Sequence, residues 1–373
     1  MVRLLHTADI HLGRKFASLG DALGTKGKEQ REQVRATFKK VISLAREEKV
    51  DIMLIAGDLF DSNQPPQRDI QLALEQFNLL AGENIPVCLI PGTHDCFDSG
   101  SIYRKVNFPQ ECPNVTIFNE ADWTVKEFSH LNITVYGRPN LSNRSYESPL
   151  QGLKRQTSSR FHIAMAHGSL NIGSNEPDDH VFTMEQVRNS GMDYIALGHW
   201  HRRPYACSQK EVIVWYPGPP ELISLDQLEP GQVLLVTVPD SGEPRVEKRA
   251  VGLRRCDEMT IDLTSIASIS QLKSTIAQGA SRDLVRKVVL KGLRNEDVDI
   301  EDLIQELSDK FFYLKIDDRS YSGIKEYEGE HLIIAKFVRL MKEHIESCEG
   351  ENRKIAEQAL QLGVKLLEGK EVL

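Results

Sequence analysis

Asp9, His11, Asp58, His94, Asp95, His167, His199 and His201 stand at or just beyond the ends of apolar runs. Carboxylate and imidazole donors without a thiolate form a set that suits manganese, iron or zinc. Such ions polarise oxygens under attack and lower the pKa of bound water. In Asp9-Ile10-His11 and in His199-Trp200-His201 the ligand types sit at i and i+2. In an extended segment both side chains of each pair would point to one side and converge. A single D-x-H or G-H-x-H carries little information. Five run ends of one kind, each with a glycine nearby, point to a metal centre.

The elements that must position these groups are legible from the same runs. VRLLHTADIH, DIMLIAGD, IPVCLIPGTHD, FHIAMAHG and MDYIALGHWH are short and mostly apolar, as strands buried on both faces are. In open α/β sheets, ligands bind beyond the carboxyl ends of strands. Between the runs lie amphipathic stretches. Val34, Phe38, Val41, Ile42 and Ala45 share one helical face within 30–49, and Ile70, Ala73, Leu74, Phe77 and Leu80 share another within 69–80. Alternation of strand and helix predicts a layered α/β domain over 1–252. Polar, Ser-rich residues 142–159 read as a loop with a short helix. Strand-like runs at 211–216, 232–238 and 244–250 extend the sheets without crossover helices. Beyond 252 the pattern restarts: strand 258–263, helix 268–278, strand 285–291, helix 300–308 and strand 311–316, a small α+β domain over 253–335. The tail, 336–373, reads as helical with a break at Cys348-Glu-Gly.

The chain has 373 residues, a formal charge of −8 and 40% hydrophobic residues, ordinary for a soluble globular protein. Net acidity argues against generic nucleic-acid binding, where a basic surface is expected. Carboxylates of a metal centre contribute to that acidity and are neutralised when cations bind. Six scattered cysteines with no C-x-x-C pair argue against a zinc knuckle or a disulfide framework. The opening MVRLLHTADIHLG does not read as a signal peptide, and no window has the roughly 18 apolar residues of a membrane span, so a cytoplasmic location is expected.

The ordered pieces ADIH (8–11), GDLFD (57–61), GTHD (92–95), AHG (166–168) and GHWH (198–201) resemble the calcineurin-like metallophosphoesterase family over roughly residues 1–220. The resemblance implies a four-layer α-β-β-α sandwich with two metal ions at the strand ends. Asp9, His11 and His201 would hold one ion, Asp58 would bridge both, and His167 and His199 would hold the second with residue 93. His94 and Asp95 would form the catalytic pair, His94 protonating the leaving oxygen. Two cations about 3.5–4 Å apart can clamp both oxygens of an in-line phosphoryl displacement.

Within the family, TADIHLG, AGDLFDSN and YPGPPE (216–221) look like the SbcD-type repair nucleases, and the 253–335 segment looks like their capping domain. The arginine that protein phosphatases place after G-D-x-x-D is absent, since Ser62-Asn63 follow Asp61. This branch implies a manganese-dependent DNA exonuclease and endonuclease acting in double-strand-break repair. It also implies an SMC-like ATPase partner of the SbcC type and a homodimer through 30–49 and 69–80. Ile355, Ala359, Leu362 and Leu366 share a face of the tail that either docks on the ATPase or packs on its own domain. Arg14, Lys15, Arg104, Lys105, Arg202 and Arg203 lie close to the metal motifs and are candidate DNA contacts. His6, His130, His162, His180, His331 and His344 match no motif and are assigned structural or surface roles. The family usually has asparagine where this chain has Thr93. Either a water completes a weaker second site, or the hydroxyl ligates directly, or the chain is a partly degenerate binding subunit. A phosphodiesterase for small molecules is a further alternative.

Overall fold

The computed structural model describes residues 1–16, 25–171, 179–202, 205–209, 212–241, 243–294, 298–322, 332–348 and 350–367. The chain divides into two units, Met1–Asp257 with Asp283–Val285, and Glu258–Arg282 with Arg286–Leu373.

The first unit begins with β1 (Val2–Thr7), α1 (Thr25–Glu47), β2 (Ile52–Ala56), α2 (Gln67–Ala81) and β3 (Val87–Ile90). Single-turn helices α3 (Ile102–Lys105) and α4 (Phe108–Glu111) lead to β4 (Val115–Ile117), β5 (Thr124–Phe128), β6 (Ile133–Gly137) and β7 (Phe161–His167). The short pair β8 (Ser169–Leu170) and β9 (Val181–Phe182) precedes α5 (Met184–Asn189) and β10 (Tyr194–Gly198). Two hairpins close the unit: β11 (Tyr205–Gln209) with β12 (Val212–Tyr216), and β13 (Gln232–Val238) with β14 (Arg245–Ala250).

These strands form two six-stranded sheets, ordered β14-β13-β1-β2-β3-β4 and β11-β12-β10-β7-β6-β5. β1 to β4 run parallel in the first, and β6, β7, β10 and β12 run parallel in the second. The hairpins and β5 add antiparallel edges. Leu4, Leu54, Ile90, Val135, Ile163, Met165, Ala196 and Val236 come from both sheets and are buried in one cluster, so the sheets face each other. The outer face of the first is covered by α1 and α2, whose Phe38 and Phe77 rings meet edge to face at 6.2 Å. The second is covered by α5 and by Leu150 and Leu153 of the long loop. The expected four-layer α-β-β-α sandwich is the one observed. The short helix expected in 142–159 is absent. There the Ser145 and Ser148 hydroxyls accept from the backbone N–H groups of Glu147 and Leu150, local turns that compete with a helix.

After β14 come β15 (Arg255–Asp262), α6 (Ile269–Ala277), β16 (Leu284–Lys291), β17 (Leu293–Arg294), α7 (Ile300–Leu307), β18 (Tyr313–Asp318) and β19 (Tyr321–Ser322). β15, β16 and β18 form a three-stranded sheet. Two helices follow, α8 (Leu332–Glu346) and α9 (Gly350–Leu367), packed through Ile334, Val338, Ile345, Ala356 and Leu360. Gly363 allows that approach, since a Cβ there would stand 2.2 Å from the Phe337 ring. Ile355, Leu362 and Leu366 are exposed, at 58%, 50% and 57%, and so face away from α8. No described helix is long and apolar enough to cross a membrane.

Candidate metal centre

The parallel strands β1, β2, β3, β7 and β10 end within one region, and the turns after them supply the polar groups. The convergence does not come from extended backbone. β1 stops at Thr7, and Asp9 and His11 stand in the left-handed region at φ +55° and +51°. Asp58 and His199 do the same, at +54° and +108°. Asp9 and His11 converge with His201 because sharp turns re-aim them, a reason other than strand parity, while the His199 ring turns to His167. Such turns cost free energy and concentrate at functional sites. Backbone bonds hold the first one: Asp9 N–H donates to Gly57 O at 3.1 Å and His11 N–H to Asp58 O at 3.0 Å.

Asp58 is the hub. Its Oδ2 lies 3.3 Å from His167 Nε2, 3.6 Å from His11 Nε2 and 3.3 Å from the Thr93 hydroxyl, which donates to it. Its Oδ1 accepts the His94 N–H at 2.8 Å. Asp9 Oδ1 lies 3.4 Å from His201 Nε2 and 4.0 Å from His167 Nε2. Both oxygens of Asp9 accept the backbone N–H of His199, at 3.0 and 3.1 Å. The His199 ring meets that of His167 edge to face at 5.2 Å. Asp9, His11, Asp58 and His201 bring four ligand atoms within 4.8 Å of one another.

The residues fit a cation on their own chemistry. His167 donates Nδ1–H to the Ala56 carbonyl at 2.9 Å, so Nε2 offers a lone pair once its proton gives way to a cation. That Nε2 is buried and has no hydrogen-bond partner, though two carboxylates stand beside it. His11 is tied in the same way by Asp61, whose Oδ1 accepts Nδ1–H at 3.0 Å. Its Nε2 faces His201 Nε2 at 3.3 Å, so the two nitrogens can share only a proton or a cation. Carbonyl and carboxylate partners that orient ligating histidines are the usual outer support of a metal site. Burial alone would raise the Asp58 carboxyl, but His167 and His11 hold it well below the usual range. Burial drives His11 down to about 4 and so keeps its ring neutral.

His94 differs from the other rings. Its side chain is 41% exposed, against 0% for His11 and His167, so it alone of these three opens to solvent and to an incoming substrate. It sits edge to face with His11 at 4.6 Å, and Nδ1–H donates to the Asp61 carbonyl at 3.1 Å. Asp95, expected beside it in the catalytic pair, does not face the cluster. Its Oδ1 accepts from Gly92 N–H at 2.8 Å, and Oδ2 accepts from Phe60 N–H at 3.1 Å and from the Tyr103 hydroxyl at 2.5 Å. All its capacity goes into bracing the loop that carries Thr93 and His94, so it is a positioning residue.

Asp61 is the residue that reading the sequence passed over. It fixes His11 through its carboxylate and His94 through its carbonyl, and it accepts Arg14 Nη1–H at 2.9 Å. Its signal was the second Asp of GDLFD. Two glycines are demanded by closeness: a Cβ on Gly57 would stand 2.2 Å from His167 Nδ1, and one on Gly92 2.3 Å from Asp58 Oδ1. Of the candidate DNA contacts, Arg14 is paired with Asp61, and Arg104 donates to Asp98 O and lies over the Phe97 ring at 3.9 Å. Lys105 donates to Asn63 O at 3.3 Å. Lys15 and Arg202 are exposed, and Arg203 lies outside the described residues.

A family model described as calcineurin-like phosphoesterase matches residues 2–203. The chain is 32% identical over 218 residues to the uncharacterized metallophosphoesterase YhaO of Bacillus subtilis (strain 168), covering 57% of this chain and 52% of the relative. It is 28% identical over 233 residues to the DNA double-strand break repair protein Mre11 of Saccharolobus solfataricus, covering 61% and 57%. It is also 25% identical over 225 residues to the SbcD component of the SbcCD nuclease of Staphylococcus saprophyticus, covering 54% and 56%. The match thus spans just over half the length of these relatives. A dimetal phosphatase from Danio rerio is 10% identical with a TM-score of 0.42, covering 66% of this chain and 98% of that one. The strand-end motifs and a family match over more than half of the chain agree, and the chain belongs to the calcineurin-like phosphoesterases, with Mre11 and SbcD nuclease subunits among its relatives.

Proposed function

We propose that this chain is a DNA phosphodiesterase that uses two divalent cations, most simply Mn²⁺, for exonuclease and endonuclease cleavage during double-strand-break repair in the cytoplasm. The observation that carries the reading is the Asp58 hub, where one carboxylate oxygen stands within 3.6 Å of two imidazole nitrogens from different strand ends. When bound, the cations supply an activated water and stabilise charge developing on the phosphoryl oxygens. Asp9, His11 and His201 would hold one, His167 and His199 the other, and Asp58 both. His94 stands in the exposed mouth, held by the Asp61 carbonyl, where an imidazole can give a proton to the leaving oxygen. Asp95 and Asp61 keep that geometry.

Relatives named for double-strand-break repair and for nuclease activity favour a DNA substrate. Lys15, Arg202 and Arg203 are the basic groups we assign to the phosphate backbone, and the α+β part of the second unit is assigned the role of a cap that guides DNA. The exposed face of α9 (Ile355, Ala359, Leu362, Leu366) suits docking on an SMC-like ATPase. The helices α1 and α2 are the proposed homodimer face.

The test is Mn²⁺-dependent cleavage of linear duplex and single-stranded DNA, beside a panel of nucleotides and p-nitrophenyl esters. Wild type should cut DNA, and Asp58→Asn should lose at least roughly a hundredfold in rate. Thr93→Asn should cut as well as wild type or better. Cleavage of the small esters alone would replace the substrate class. An inert wild type beside an active Thr93→Asn would make the native chain a binding subunit.

A further inference from the structure

Tyr216 opens YPGPPE and is fully buried at the end of β12. β12 runs parallel to β10, so it ends on the side of the turns that carry the ligands, yet what it places there is a phenol. The hydroxyl donates to Gly168 O at 2.8 Å and accepts the Leu170 N–H at 3.0 Å. One oxygen thus clips both ends of the turn that follows His167. The ring lies flat on Trp200, with 4.6 Å between centroids and 12° between planes, and Tyr205 meets Trp200 edge to face at 5.2 Å. Trp200 in turn donates Nε1–H to the Ser169 hydroxyl at 3.1 Å.

Trp200 stands between His199 and His201 in the chain. His199 has φ +108°, a backbone state that persists only where its surroundings impose it. Asp9 fixes the chain at the His199 N–H, and the Trp200 stack and bond fix it one residue later. Gly168 N–H adds a backbone bond to Gly198 O at 3.3 Å. Residues 168–170 and 198–200 are therefore tied to each other through Tyr216 and Trp200. Imidazoles that come from two strand ends must be held to roughly 0.5 Å to share one cation. We propose that Tyr216 is a positioning residue of the metal centre: its hydroxyl and its stacked ring set the turn after His167 against the turn of His199 and His201. The inference rests on the two-cation reading above.

Tyr136 supplies a matched control. It is buried in the same cluster, its hydroxyl meets His162 Nδ1 at 2.8 Å and accepts the Gln156 N–H at 3.0 Å, and neither partner belongs to a ligand turn. Mn²⁺ alone is the probe, with the full chain. Isothermal titration calorimetry reads stoichiometry and affinity, electron paramagnetic resonance reads the spin-coupled manganese pair, and urea unfolding of the metal-free chain reads stability. Wild type should bind two ions. Tyr216→Phe keeps the stacked ring and loses the clip; the ion that His167→Gln also weakens should lose about tenfold in affinity, and the coupled signal should fade. Tyr136→Phe should lose comparable stability and keep both ions as in wild type. Trp200→Phe keeps a ring on Tyr216 and loses the Ser169 bond; it should weaken the same ion and carries the test if Tyr216→Phe does not fold. Wild-type affinities and coupling in Tyr216→Phe, or in Trp200→Phe where the first does not fold, would overturn the assignment and leave the metal centre standing. An equal loss of Mn²⁺ in Tyr136→Phe would do the same. A wild type that binds no Mn²⁺ would overturn both.

Discussion

Asp58 and Glu221 are both buried carboxylates in the first unit, and their surroundings are opposite. Glu221 is 1% exposed and is met by donors on every side. Oε1 accepts the backbone N–H of Leu222 and Arg254, each at 3.0 Å. Oε2 accepts the Thr37 hydroxyl at 2.6 Å, the Gln33 amide at 3.2 Å and the Leu253 N–H at 2.9 Å. This carboxylate needs nothing more; it ties α1 and the YPGPPE turn to the segment that leaves the first unit. Asp58 takes one backbone N–H and one hydroxyl, and the rest of its field is imidazole nitrogen. Burial and negative charge are common to the two. What separates a brace from a ligand is whether the neighbours are fixed hydrogen donors or imidazole nitrogens that can exchange a proton for a cation.

The largest effect should come from converting the brace. Glu221→Gln turns an amide NH₂ toward a cage of N–H donors, and breaking buried partnerships of this kind costs roughly 3–5 kcal/mol. Urea unfolding should show that loss, while Mn²⁺ affinity stays as in wild type. A Glu221→Gln chain that loses Mn²⁺ instead would erase the distinction between brace and ligand.

Next in size is a pH effect at the ligand side. Burial opposes charge on His167, but Asp58 and Asp9 push the ring up to about 9. An unfolded histidine titrates near 6.5. Protonated His167 therefore stabilises the metal-free fold fully below about pH 6.5, and that contribution is lost as pH rises through about 9. Its size is at most on the order of 3 kcal/mol. Saturating Mn²⁺, which needs the same lone pair, should flatten the profile, and so should His167→Gln. Thermal midpoints across that range, with and without the ion, check both. The smallest effect should follow from Tyr103→Phe, which removes one of three donors from Asp95. It should cost about 1–2 kcal/mol in unfolding free energy and leave Mn²⁺ stoichiometry unchanged.

The strands that carry the site, the helices α1 and α2 and the strand-end location were legible, because apolar periodicity reports burial directly; β4, β5, β6 and β11, short or at sheet edges, were not read. The motif histidines and aspartates could be found because they interrupt that periodicity. Asp61, Tyr103 and Glu221 were harder to see. Asp61 and Glu221 matter through partners distant along the chain, up to 188 residues for Glu221 and Gln33, and no local pattern encodes such pairs; Tyr103 meets Asp95 nearby but belongs to no motif. Asp95 shows the reverse error: its place beside His94 suggested a shared task, but its oxygens turn away to the loop backbone. The helix expected in 142–159 failed because serine hydroxyls satisfied the backbone first.

The left-handed turns at Asp9, His11, Asp58 and His199 also govern how the centre can vary. Asparagine, like aspartate, tolerates that backbone, whereas alanine or a β-branched residue adds a steric cost of about 1–2 kcal/mol at each position. Alanine scanning across these four codons would therefore report misfolded turns together with lost ligands. Asparagine at 9 and 58 removes charge with the backbone left at ease. A mutational library drawn from Asp, Asn, His and Gly would explore ligand chemistry alone, and drift at these positions should stay within the same small alphabet.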